Sequence, residues 1–136
     1  MLAFAQGKLG TKVGDGGCTR LIEEALAAVG AKPGSNFGQP GFEVWGRKLN
    51  AGEAMTAGDI IQFTKNTLFE TRTPTSWSQT RFGDNNFGHT AIIESINGTT
   101  ITMLNQNMDG SPVIRTTVNL ATLVTGGYSV YRAVPK

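Results

Sequence analysis

Apolar residues recur at helical spacing twice near the start of the chain, and in short or alternating runs through most of its remaining length. Leu2, Ala5 and Leu9 predict a short helix over residues 2–9, ended by Gly10 and Thr11. Leu21, Ile22, Ala25, Leu26 and Val29 predict a stronger helix from about Cys18 to Val29. Gly30 closes it as the residue that turns left-handed after a helix end. Val13-Gly14-Asp15-Gly16-Gly17 leads into this helix, so Cys18 falls at or beside its N-terminus. Residues 31–58, rich in Gly and Pro, read as a long irregular connection pinned to the core by Val44 and Trp45. Strands are predicted over 59–63, 67–71 (returning beside the first), 89–96, 100–106, 113–118 and 128–133. The polar, glycine-rich stretch 74–88 predicts a loop, and 119–123 a single helical turn. Helices followed by a mostly antiparallel meander give an α+β fold in one domain over 1–136.

Composition removes several functions. A net charge of +2 with scattered Lys and Arg is no nucleic-acid footprint, although a weakly basic surface suits an anionic polymer such as a bacterial cell wall. One cysteine excludes an intrachain disulfide, and one cysteine with one histidine excludes a tetrahedral Cys/His zinc site within a chain. No apolar run approaches the ~20 residues of a membrane span. Met1-Leu2-Ala3-Phe4-Ala5 is too short for a signal peptide's apolar region. The expectation is a monomer that is cytoplasmic, exported without a cleaved leader, or a domain of a longer protein.

The remaining chemistry gathers on Cys18. A free cysteine is often just a small buried hydrophobe. At a helix N-terminus, however, unpaired N–H groups and the helix dipole favour the thiolate, and the same N–H groups suit an oxyanion. A cysteine nucleophile needs a base that titrates near neutrality, and His89 is the only histidine. It opens the strand Thr90-Ala91-Ile92-Ile93-Glu94-Ser95-Ile96 straight after the glycine-rich loop, where it is expected at a sheet edge.

The hairpin around Asn97-Gly98-Thr99 has two registers. A two-residue Asn-Gly turn pairs Ile96 with Thr99 and sets His89 on a face with Gln106. A three-residue loop pairs Ile96 with Thr100, Ala91 with Asn105 and His89 with Asn107. The second also gathers Ala91, Ile93, Ile101 and Met103 on one face, and is favoured for that reason. It brings Asn105 to the imidazole, where a side-chain carbonyl fixes the tautomer; Asn107 and Gln106 compete for the place. Asp15 caps the Cys18 helix or shapes the loop before it, capping being preferred, and Trp77 is a candidate to line a substrate groove. Gly41 to Lys48 is rejected as a phosphate loop, because Arg47 stands where lysine is required and no strand precedes it.

At these residues the chain resembles the papain-like cell-wall hydrolases, the NlpC-like and CHAP amidases and peptidases. The motifs are Gly14-Asp15-Gly16-Gly17-Cys18, Gly58-Asp59-Ile60-Ile61-Gln62-Phe63, Gly88-His89-Thr90-Ala91-Ile92-Ile93, Leu104-Asn105-Gln106-Asn107 and Val130 to Pro135. The resemblance covers nearly the whole chain. It implies N-terminal helices packed on a mostly antiparallel sheet, with Cys18, His89 and Asn105 as nucleophile, base and orienting residue. Asp15, Gly17, Trp77 and Asn107 are then the substrate-binding candidates. The third residue in CHAP domains is often acidic whereas Asn105 is neutral, and Gly17 stands where many relatives carry a larger residue.

The implied reaction is amide cleavage through an acyl-enzyme that requires no metal or organic cofactor, with peptidoglycan stem peptides as the leading substrate. The other readings are a thiol peptidase or amidase on other substrates, and an inactive binding domain of the same fold. An exported antibacterial version brings an immunity or inhibitor protein as partner.

Overall fold

A computed structural model of the chain describes residues 1–35 and 43–136. Two helices come first, α1 (Leu2–Gly7) and α2 (Cys18–Ala28). The apolar stripe of α2 buries Leu21, Ile22, Ala25 and Leu26, as its spacing requires. Gly30, at φ +66, turns the chain out of the helix. The strands are β1 (Arg47–Lys48), β2 (Ile60–Phe63), β3 (Thr67–Arg72), β4 (Trp77–Phe82), β5 (His89–Asn97), β6 (Thr100–Asn105), β7 (Ile114–Asn119), β8 (Leu123–Thr125) and β9 (Tyr128–Arg132). A 3₁₀ turn over Leu120–Thr122 precedes β8, with the Asn119 side chain accepting from the Ala121 N–H.

The strands form two antiparallel sheets, a six-stranded one ordered β1-β9-β2-β5-β6-β7 and a three-stranded one ordered β4-β3-β8. Three expectations change here. Residues 67–71 do not return beside 59–63; β3 pairs with β4 and β8 in the smaller sheet. The stretch 74–88 is not all loop, because β4 pairs with β3 from Thr67↔Phe82 to Arg72↔Trp77. The connection 31–58 gains the short strand β1 and a bridge between Ser35 and Val44, while its residues 36–42 lie outside the described residues.

Each face of the larger sheet covers a core. Ile60, Ile92 and Leu104 point to the helices and meet Leu21, Ile22, Ala25, Leu26 and Trp45. Ile61, Phe63, Ala91, Ile93, Ile101 and Met103 point the other way, to Phe69 and Phe82 of the smaller sheet. That places Ala91, Ile93, Ile101 and Met103 together, as their alternation predicts.

The hairpin reaches this arrangement by neither expected route. Its turn is Gly98-Thr99, with Asn97 opposite Thr100 and Ile96 opposite Ile101. The register then shifts between Ile93 and Ser95, so that Ile92 faces Leu104. Beyond this β-bulge the pairing is the one a three-residue loop would have produced.

Candidate active site

Cys18 opens α2 from the glycine-rich loop. Gly14 and Gly16 have φ of +58 and +87, and a Cβ at Gly14 would meet the Arg20 side chain, so the turn into the helix demands glycine there. Asp15 does not cap the helix. Gly17 is the N-cap residue, no side chain caps it, and Asp15 Oδ1 accepts the Gly17 N–H at 2.9 Å. The carboxylate folds the loop on itself, so shaping wins over capping, and the helix's first turn has no side-chain cap.

The thiol is half-buried. Burial is the largest influence on it and raises its pKa above the ordinary value. The N–H groups of Thr90, Thr19 and Cys18 itself oppose this, and the Glu43 carboxylate adds to it. Desolvation therefore outweighs the helix N-terminus, and the resting group is a thiol rather than the thiolate expected from placement alone.

His89 begins β5 but is at no edge. Its strand lies between β2 and β6 and its side chain is only 3% exposed. Phe63 pairs with it across β2, and Gln62 Nε2 donates to its carbonyl at 3.0 Å while Gln62 Oε1 takes the Trp45 Nε1–H at 2.7 Å. The imidazole lies on the smaller-sheet face, stacked on Phe82 with centroids 5.7 Å apart.

His89 Nε2 is 2.8 Å from Asn105 Oδ1. The Asn105 amide nitrogen donates to Thr116 Oγ1 at 3.0 Å and the Ile114 carbonyl at 3.4 Å, so the amide presents its oxygen to the ring. An amide oxygen only accepts, hence Nε2 carries the proton and Nδ1 keeps a free lone pair. Burial lowers the His89 pKa, and the bond to Asn105 opposes that only in part.

Cys18 and His89 line one cleft of about 590 Å³. Asp15, Gly17 and Asn107 line it too, while Trp77 does not. Trp77 starts β4, and Phe82, which covers His89, ends it; five steps along the strand set them about 16 Å apart. Its ring lies instead over Arg72, 5.6 Å from the guanidinium carbon, which makes it part of the β3–β4 hairpin surface. Among the described residues, the aromatic side chain of Phe87 lines the cleft. Asn107, at φ +66, lies past the end of β6 and hydrogen-bonds Ser111 through its backbone. Gln106 turns away from His89 and binds Val13 and Gly17.

Sequence reasoning missed Glu43, Arg81, Asp84, Phe87 and Asp109 as cleft residues. Asp84 had a readable signal: a side chain that accepts from Asn86 and Phe87 N–H groups is the turn chemistry of Asp before Asn.

The family model described as the AIM3/BBC1 cysteine proteinase-fold domain matches residues 1–136. Among curated proteins, the chain is 33% identical over 140 residues to the endolysin PlyC large catalytic subunit of Streptococcus phage C1. That alignment covers 91% of this chain and 30% of the phage protein, so the chain spans under a third of that relative's length. No solved structure matches significantly.

Proposed function

Since the chain belongs to the AIM3/BBC1 cysteine proteinase-fold domain family, we propose that it hydrolyses amide bonds with Cys18 as nucleophile, His89 as base and Asn105 as the residue that orients the base. The observation that carries this is the 2.8 Å bond from His89 Nε2 to Asn105 Oδ1, which leaves Nδ1 free beside a cleft shared with Cys18. Peptidoglycan stem peptides are the proposed substrate, supported by the likeness to a subunit named as an endolysin's.

The resting pair is neutral, since burial raises the thiol and lowers the imidazole. His89 Nδ1 therefore takes the Cys18 proton as the sulfur attacks the substrate carbonyl. The oxyanion sits toward the first N–H groups of α2, which already point at the sulfur. The imidazolium then protonates the departing amine, leaving a thioester on Cys18. Water, deprotonated by His89, attacks that thioester and releases the acid. Asn105 holds the ring throughout but, being neutral, adds no charge to support the imidazolium.

Wild type and Cys18→Ala are incubated with purified peptidoglycan and with intact proteins, and new termini are identified by mass spectrometry. Cys18-dependent stem-peptide products are expected. Products from proteins alone would overturn the cell-wall substrate, and no Cys18-dependent product from any amide would overturn the hydrolase reading.

A further inference from the structure

Asn105 and Gln106 are consecutive, and their side chains leave the end of β6 toward opposite faces of the sheet. Asn105 meets His89 on the side of the smaller sheet. Gln106 meets the loop before Cys18 on the helix side. Its amide is fully buried and every bond it makes goes to that loop. Oε1 accepts the Val13 N–H at 2.8 Å, and Nε2 donates to the Val13 carbonyl at 3.0 Å and the Gly17 carbonyl at 2.7 Å. The Gly17 carbonyl also accepts the Arg20 N–H at 3.1 Å, so one oxygen joins the first turn of α2 to β6.

Such a loop needs a fastener. Three of the residues between Val13 and Cys18 are glycine, which loses the most conformational freedom on ordering and offers no side chain to pack. The apolar stripe of α2 holds the body of the helix, but it begins at Leu21. The position of the thiol therefore depends on what holds residues 13 to 17. We propose that Gln106 is a positioning residue: it sets Cys18 against the His89 ring, so that two adjacent residues at the end of β6 register both partners of the reacting pair. This rests on the reading of Cys18 and His89 as that pair.

Labelling of Cys18 by iodoacetamide as a function of pH tests it without any substrate. Wild type, His89→Ala, Gln106→Met and Gln106→Glu are compared below their own unfolding temperatures, with rates corrected to the folded fraction. Wild type should show a limb of labelling on the acid side of the thiol's own titration that His89→Ala lacks. Gln106→Met keeps the side-chain length and removes all three hydrogen bonds, and should lose that limb by roughly 100-fold, the scale of a misplaced catalytic group. Gln106→Glu, protonated when buried, keeps an acceptor for the Val13 N–H and one donor, and should recover part of the rate.

A merely structural Gln106 would lower the melting temperature and leave the labelling profile per folded molecule unchanged; that outcome in Gln106→Met overturns the proposal. If His89→Ala labels like wild type, the reacting pair itself fails and Gln106 has nothing to position. If His89→Ala differs and Gln106→Met does not, only the Gln106 role fails.

Discussion

The two faces of the six-stranded sheet each cover an apolar core but hold the proposed reacting groups in different ways. On the helix face, Cys18 stands at the open end of α2, where a glycine-rich loop and a half-buried thiol meet the cleft. On the other face, His89 and Asn105 are sealed under an aromatic stack: Phe82 lies 4.2 Å from Phe63 at an interplanar angle of 8°, and 5.7 Å from His89. The nucleophile is half-buried at the cleft behind a glycine-rich loop, while the base is buried beneath aromatic rings. A nucleophile must reach substrate, whereas a base acts through its orientation, so the division suits the chemistry.

Removing the aromatic lid should break this difference most severely. Phe82→Ala deletes a fully buried ring and should cost about 3–5 kcal/mol of stability. Leu26→Ala, its counterpart on the helix face, should cost about 2–5 kcal/mol. Denaturant unfolding measures both. Only Phe82→Ala should also change the pH profile of Cys18 labelling in the folded protein, because only it frees the imidazole. Equal profiles would mean that the stack is packing alone.

Asn105→Ala should have the next largest effect. It strands the Nε2–H donor of a buried ring, at about 1–3 kcal/mol, and releases the tautomer. Hydrolysis should fall with the substrate KM little changed. Asn105→Asp adds a carboxylate at the same place and should raise the His89 pKa, moving the labelling limb to higher pH. A limb that stays put would show that Asn105 does not govern the ring.

Much of this was legible in residue types and little of it in their partners. The helix stripe, the Gly30 cap and the alternation in β5 and β6 follow from period, which is local. Strand β4 was hidden because Trp77 to Arg81 face water or nearly so and only Phe82 is buried, leaving no apolar alternation to read. The hairpin register was partly legible: the apolar faces fixed the pairing at Ile92 and Leu104, but an extra residue at the Glu94 bulge carries no signature. Cys18, His89 and Asn105 could be singled out as candidates because the chemistry proposed for them is side-chain chemistry. Gln106 was taken for a competitor of Asn105, since its actual partners are backbone groups more than eighty residues away, which no residue type announces.

A smaller effect separates the two faces by pH. For His89 the folded pKa lies below the unfolded one, so its contribution is complete above the unfolded value and is lost as pH falls below about 6.5. For Cys18 the folded pKa lies above the unfolded one, so its contribution is complete below the unfolded value and is lost as pH rises beyond it. Stability should form a plateau between the two. His89→Gln should flatten the acid limb between about pH 6.5 and 4.5, before the carboxylates titrate, and Cys18→Ala the alkaline limb. Thermal melts across pH measure both; an acid limb unchanged in His89→Gln would place its cause elsewhere.

The smallest effect belongs to Trp77, and it decides where the substrate path ends. At 56% exposure the indole buries little, and its stack with Arg72 is a solvent-screened contact worth about 0.5–1 kcal/mol. Trp77→Ala should therefore lower stability by about 1 kcal/mol or less, and cleavage of soluble stem peptides should keep both kcat and KM. Phe87→Ala, at the cleft itself, should raise KM on the same peptides while leaving the fold intact, since that ring is 60% exposed. A rise in KM for Trp77→Ala would extend the substrate site along β4, about 13 Å beyond Arg81 at the cleft. With KM unmoved, the smaller sheet acts only through the end of β4 that carries Phe82 over His89.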